Sequence, residues 1–471
     1  MSSFLDRAES GERAAQPEQW AEMLRAIRPL DEWPSFERIT PRLMQRVLPH
    51  LQDLPVDSLL ATLHALAAKP LKEVHSSETS MAYGPLTRAP RAFSLAVAKV
   101  VKEGHYDLRQ VVGAFGSLGT LGFYEEACVA QVLRFCLDAP LLEPHTPLLL
   151  PLVRACANLH VHHAPLLRKV VTMYCWCYAY LWSRPLEAAK LDELLELAEQ
   201  LLELSFQSME LQGVLADNLS NPNASSRQKL ALLSLLARSS HFPQEFKEAC
   251  AAVCSESSDA ALAALSTADL INAFNIHLCT VFDGPAALKH WLTEDASMKS
   301  FFQVHTSQKW YQRQDQELAT FLQSPACKSL REAAELEGLS LRTCEPGQVY
   351  HMELVSTDAK ERLAALSETP PVAVICVKSK EQLRWYVPIT AQDKADEDLA
   401  SQNRCKEFRF MFRGAVQKLR HVQTMGYRPC VVWLSEWNQL ETQEQQRAYL
   451  RKAVLDYMAF APASGEADDV Y

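Results

Sequence analysis

The sequence predicts a mainly α-helical protein: an α-solenoid of stacked helix pairs, followed by a small C-terminal α/β module. Three observations lead there. First, the chain has only 14 glycines in 471 residues, and leucine and alanine dominate long stretches with few strand-like runs before residue 371. Second, helix ends built of small residues and leucines recur at a spacing of about 40 residues, anchored on Ala65, Ala114, Ala155, Leu197 and Ala273, with one weaker copy between the last two. A period in this range is the mark of stacked helix pairs, each burying its face against the next. Third, beyond residue 345 the periodicity changes from helical to short apolar runs.

At this length one ordinary core is too small, and two or three units are expected. The chain is expected to divide into an N-terminal tail and helix (1–39), a helical-repeat domain (40–292), a helical connector (293–344), an α/β domain (345–460) and a C-terminal tail (461–471).

Pro17 suits the first turn of a helix that carries Trp20, Met23, Leu24 and Ile27 on one face, and Trp33-Pro34 breaks it. Helices over Pro41–Leu51 and Leu59–Ala68 follow. The repeat theme then runs through LHALAA (63–68), VGAFGSLG (112–119), VRACANLH (153–160), LAEQLLELSF (197–206), LLSLLARSSHF (232–242) and INAFNIHL (271–278). Residues 69–90, rich in Pro, Gly and Ser, interrupt it as a loop, and Asn221-Pro222-Asn223 and Asp283-Gly284-Pro285 mark turns. His160, His162 and His163 lack a partner Cys or acid at ligand spacing, so HVHHAP reads as an inter-helix loop rather than a metal site. Tyr174, Trp176, Tyr178, Tyr180 and Trp182 cover every side of one helix, which favours core packing over base stacking.

The net charge of -10 argues against a protein that coats nucleic acid along its whole surface. The 13 cysteines form no CxxC pair and read as reduced thiols of an intracellular compartment. No run of about 18 apolar residues free of charge occurs, so no membrane span is expected. The first twenty residues mix Arg7 and Arg13 with Asp6, Glu9 and Glu12, a poor composition for an import presequence.

One stretch departs from this acidic balance. Arg404 to Lys452 holds ten Lys/Arg against four acids, a net of +6, so the remainder of the chain sums to -16. Around it strands are expected at Val372–Val377, a β-branched run suited to burial on both faces, at Leu383–Val387 and at Cys430–Leu434. HMELV near residue 351 suits a helix or an edge strand, and AQDKADEDLASQ a charged loop. A helix is predicted from about Ser401 to Thr424, with Phe408, Met411, Phe412, Ala415, Leu419 and Val422 on its core face and Gly426 as its C-terminal stop. On the same wheel Lys406, Arg409, Arg413 and Arg420 form one ridge, with Tyr427 and Arg428 just beyond. Forked guanidinium groups beside an aromatic ring suit phosphate contacts; a solvated charged face is the alternative.

The order VAVICV, then MFRGAVQKLRHVQTMGY, CVVWL, SEWNQL and RAYLRKAV resembles the RAP domain over about 345–460, most specifically at Gly426-Tyr427, Trp437, Leu440, Tyr449 and Leu450. That family consists largely of organellar, mostly mitochondrial, proteins with a helical-repeat body before a C-terminal restriction-nuclease-like domain, and its members bind organellar RNA. The resemblance therefore implies a protein of the mitochondrial matrix that binds RNA, mitochondrial rRNA in particular, as a ribosome component or assembly factor among neighbouring proteins of a ribonucleoprotein complex. Nuclease chemistry on this fold needs an acid at one strand end and an acid-x-Lys on the next, holding Mg²⁺ by carboxylates. Cys376-Val377-Lys378-Ser379 and LRWYV lack them, so no catalytic residue, metal or cofactor is expected. Two alternatives stand beside this reading: a metal-dependent endoribonuclease, and a protein-binding scaffold subunit.

Overall fold

The computed structural model describes residues 16–27, 39–67, 84–141, 143–182, 185–256, 265–339, 341–343, 349–356, 371–378, 382–385, 408–411 and 413–455. The chain is mainly helical, with a small sheet region near the C-terminus. It divides into two compact units: residues 1–183 with 384–409, and residues 184–383 with 410–471.

In the first unit the helices are α1 (Pro17–Ile27), α2 (Ile39–Val47), α3 (Val56–Ala67), α4 (Gly84–Lys102), α5 (Leu108–Leu121), α6 (Glu126–Asp138), α7 (Thr146–Asn158) and α8 (Ala164–Tyr180). Their ends follow from local chemistry. Asp107 caps α5, accepting from the Gln110 backbone N–H at 2.8 Å while the Gln110 side chain accepts from Asp107 N–H, and Gly122 closes the helix with φ +66. Each helix packs on the second one after it: α1 on α3, α3 on α5, α5 on α7, and likewise α2 on α4, α4 on α6 and α6 on α8. The repeat anchors Ala65, Ala114 and Ala155 all fall in the odd-numbered row. Gly119 lets α5 approach α7 closely, since a Cβ there would lie 3.2 Å from both Cα and O of Ala155.

HVHHAP differs from its reading as a plain loop. Val161–His162 is a short strand, β1, and His163 caps α8 by accepting from Leu166 N–H at 3.2 Å. LRWYV also departs from its expected place. Strand β5 (Gln382–Trp385) runs parallel to β1, with Val161 opposite Arg384, so it belongs to a different sheet from Val372–Val377. Arg384 fixes the pairing: its N–H donates to His160 O at 2.6 Å, its guanidinium donates to Leu159 O at 3.2 Å, and the same group lies 3.6 Å from the centre of the Tyr124 ring. An arginine at that position serves the carbonyls at the end of α7, which no periodicity argument could foresee.

In the second unit α9 (Ala188–Glu203), α11 (Ser226–Arg238), α13 (Thr267–Asp283) and α16 (Thr306–Leu322) pack in succession, with α10 (Met209–Asp217), α12 (Phe246–Glu256), α14 (Ala286–Glu294) and α15 (Ala296–Lys299) beside them. Leu197 and Ala273, the remaining anchors, are buried on α9 and α13. Next come α17 (Pro325–Leu336) and a four-stranded sheet ordered β2 (Leu341–Arg342), β3 (Leu354–Ser356), β4 (Val372–Val377) and β7 (Arg428–Trp433). HMELV thus ends in a strand, β3, antiparallel to β4. Strands β4 and β7 run parallel in register from Val372↔Arg428 to Val377↔Trp433, as a crossover through an intervening helix requires.

Both faces of β4 are covered, as its unbroken apolar run predicts. Val374 and Cys376 join Cys430, Val432, Leu330, Trp437 and Leu450 on one face, while Ala373 and Ile375 join Tyr350, Met352, Phe274 and Val422 on the other. The helices α17 and α20 (Gln443–Leu455) pack together on the first face, and Trp437, in the short helix α19 (Leu434–Trp437), donates from its indole N–H to Ser329 Oγ at 2.8 Å.

Candidate nucleic-acid interface

The predicted basic helix is shorter than expected. Phe408–Met411 forms strand β6, and helix α18 spans Arg413–Thr424. The reason lies in the pattern: Phe408-Arg409-Phe410-Met411 alternates with aromatic side chains suited to a strand, and it satisfies a helical wheel only because Phe408 and Met411 are also three apart. Arg409 therefore shares no helical face with Arg413 and Arg420, and the four-residue ridge does not exist as one row on a helix. Lys406 lies outside the described residues. Arg413 opens α18.

Gly426 stops α18 as read, with φ +87; its N–H donates to Gln423 O at 2.9 Å, and Tyr427 N–H donates to Val422 O at 3.2 Å. Tyr427 is half-buried against the Val422 and Tyr350 cluster, so much of its ring serves the core. Arg428 begins β7, its N–H donating to Pro371 O at 2.7 Å, which aligns β7 with β4.

The cations further along α18 face inward partners. Lys418 pairs with Glu353 at 3.4 Å, and both are largely buried. Arg420 donates to Asp283 Oδ2 and, at 3.1 Å, to Ser240 Oγ. Next to it His421 is enclosed: its Nε2 lies 2.9 Å from Asp283 Oδ2, its Nδ1 lies 2.7 Å from the Tyr350 hydroxyl, and its ring stacks on Phe282 at 4.6 Å between centroids. An ionised Asp283 can only accept, so Nε2 of His421 carries a proton. Burial pushes the Asp283 carboxyl up, but the His421 bond and the His421 and Arg420 charges outweigh it and hold the group below its ordinary value of 3.8. Burial, reinforced by Cys279 and Asp283, pushes the Tyr350 hydroxyl well above its ordinary value. At the far end of the module Arg447 and Arg451 both bond Glu337, at 2.7 and 2.9 Å, and these bonds hold its carboxyl down.

Sequence reasoning missed Asp283, Glu353 and Glu337, whose partners lie 137, 65 and 110 or more residues away. Asp283 was visible only as the first residue of an Asp-Gly-Pro turn. Near the sheet, burial and then Glu353 push the Cys376 thiol well up, so it is an inert core group rather than a nucleophile. Among the described residues no group of three or more His, Cys, Asp or Glu side chains could hold a metal ion.

Fold and surface together define a mainly helical protein with a small mixed sheet near its C-terminus and a basic helix laid against that sheet. No helix among the described residues is long and apolar enough to cross a membrane. No protein-family model matches the chain, and no curated protein matches it.

Proposed function

We propose that this chain is a non-catalytic RNA-binding protein of mitochondria, built as an α-solenoid with a RAP-like C-terminal domain, and that it binds mitochondrial rRNA as a ribosome component or assembly factor. The observation that carries the reading is the joint packing of the residues behind the resemblance. Trp437, Leu440, Tyr449 and Leu450 share one core with Val374, Cys376, Cys430 and Val432, and the Tyr449 hydroxyl accepts from Trp433 N–H at 3.1 Å. The forty-residue anchors on alternating stacked helices support the solenoid part. We assign phosphate contact to Arg409, Arg413 and Arg428 of the basic stretch; Arg420 and its neighbour Lys418 are paired with Asp283 and Glu353.

The same internal pairing favours a second reading, a scaffold subunit that binds protein alone. Arg447 and Arg451 are also committed, to Glu337, which leaves a smaller cationic surface than the net charge of the stretch suggests.

Binding of the full chain to a labelled single-stranded RNA at two salt concentrations separates the two. Changing Arg409, Arg413 and Arg428 together to Glu should weaken binding and lower the salt slope by about 2, at roughly 0.7 per lost phosphate contact. Unchanged affinity and slope, or recovery of the native protein in complexes devoid of RNA, would favour the scaffold. A time course with Mg²⁺ that shows cleavage would instead restore the endoribonuclease.

A further inference from the structure

Helix α8 carries a second surface that the C-terminal module does not explain. Its aromatic residues divide: Tyr174 and Tyr178 are buried, as core packing predicts, whereas Trp176 is 44% exposed and Tyr180 74% exposed. These two sit one turn apart with ring centroids 5.8 Å from each other and planes tilted by 41°. Leu181 is exposed beside them. Lone exposed apolar residues need no explanation, but a Trp-Tyr-Leu cluster at the end of one helix exposes adjoining apolar surface to water.

Charge indicates what covers it. From Pro144 to Trp182 the chain contains no aspartate or glutamate, although acids outnumber Lys and Arg by 57 to 47 in the whole sequence. Within that stretch the basic residues are Arg154, Arg168 and Lys169. Lys169 caps the end of α6, donating to Leu137 O at 2.6 Å and also to Ala139 O. Arg154 and Arg168 are exposed. Arg168, Thr172, Trp176 and Tyr180, all exposed, recur every four residues and so follow one ridge that drifts by about 40° per step, with Arg168 about 12 Å from Trp176 along the helix. Exposed aromatic rings in line with a guanidinium, on helices without carboxylates, match an anionic polymer that offers planar faces.

We infer that the outer row of α8 is a stacking platform for single-stranded RNA, with bases on Trp176 and Tyr180 and the backbone drawn along Arg168. The two rings already touch, so bases lie on their outward faces rather than between them. Such stacking tolerates any base, because every base has a π-face, and it selects single strands over duplexes, whose bases are occupied with each other. The inference rests on the RNA-binding reading but assigns a site in the first unit, on different residues.

The test uses the full chain, a labelled 15-nucleotide oligouridine and a labelled RNA duplex of the same length. Changing Trp176 and Tyr180 together to Ala should weaken oligouridine binding about tenfold or more and leave both the salt slope and duplex binding as they were. The conservative pair Trp176→Phe with Tyr180→Phe should keep most of the affinity, and thermal melts of both variants should match the native protein. Affinity within about twofold of native in the double Ala variant overturns the platform. If that variant keeps its oligouridine affinity but loses binding to vesicles of phosphatidylcholine and phosphatidylserine, the face is a membrane contact and the inference also fails. A native chain that binds no single strand overturns this inference and the proposed function together. Loss in the Arg409, Arg413 and Arg428 variant without loss here overturns the platform alone, and the reverse overturns the C-terminal assignment alone.

Discussion

Asp283, at the end of α13, lies 2.9 Å from Nε2 of His421 on α18, and the His421 side chain is 0% exposed. The contact joins two helices of the second unit, and Arg420 and Tyr350 complete it. Removing the carboxylate leaves a buried imidazole and a part-buried guanidinium without their acceptor. Asp283→Ala should therefore cost about 3–5 kcal/mol in a denaturant melt, against about 1 kcal/mol for Tyr350→Phe, which loses one neutral hydrogen bond. A smaller effect for Asp283→Ala than for Tyr350→Phe would mean that the carboxylate does not organise the network.

Two buried histidines set an acid-sensitive window. Burial, reinforced by His162, lowers His163 to about 4, and burial lowers His277 to about 4, from an ordinary value of 6.5. Folding thus keeps both rings neutral while the unfolded chain takes up protons below 6.5. Their contribution is complete above pH 6.5, falls as pH drops, and is exhausted near pH 4, to the extent of about 2–3 kcal/mol each. Asp283 acts lower still: its depressed carboxyl adds stability above 3.8 that is lost only as the pH falls through its folded value. His163→Asn keeps a cap acceptor for α8 and removes the titration, so its stability should vary less between pH 6.5 and 4 than that of the native protein. Equal slopes in the two melts would show that His163 is not held neutral.

The approach of α5 to α7 depends on Gly119. A side chain there meets backbone atoms of Ala155, which cannot swing aside as a flexible side-chain tip could. Gly119→Val should lower stability by about 1–3 kcal/mol, even though glycine is itself a poor helix former. Gly116, where a Cβ meets nothing within 4 Å, is the control: Gly116→Ala should be neutral or stabilising.

Trp437 anchors the residues that carry the family resemblance. It is fully buried, stacks edge-on against Tyr449 at 5.8 Å and donates to Ser329 Oγ at 2.8 Å. Trp437→Phe should cost about 1–2 kcal/mol through the orphaned hydroxyl and lost volume, and Trp437→Ala about 3–5 kcal/mol. Equal costs would assign the effect to the hydrogen bond rather than to packing.

Much of this architecture is legible in the sequence because it rests on near neighbours in the chain. The helix-rich body, the double-faced strand Val372–Val377, the stop at Gly426 and the strand leading to Trp433 each follow from propensity, periodicity or a backbone angle that only certain residues accept. Where two periods both fit, local reasoning failed. Phe408–Met411 satisfied a helical wheel and became a strand, and LRWYV found its partner at Val161–His162 rather than in the sheet with Val372–Val377. The fate of the cations was likewise beyond the sequence. Lys418, Arg420, Arg447 and Arg451 look alike along the chain, and only the fold brings Glu353, Asp283 and Glu337 to them. Trp176 and Tyr178 stand two residues apart, yet one faces water and the other the core. The sequence by itself determined which segments coil, which extend and where the positive charge accumulates. The tertiary structure decided which charges are neutralised and which rings stay exposed, because a charge or a ring is claimed by whatever the packed chain places within a few ångströms of it, and sequence separation carries no record of that distance.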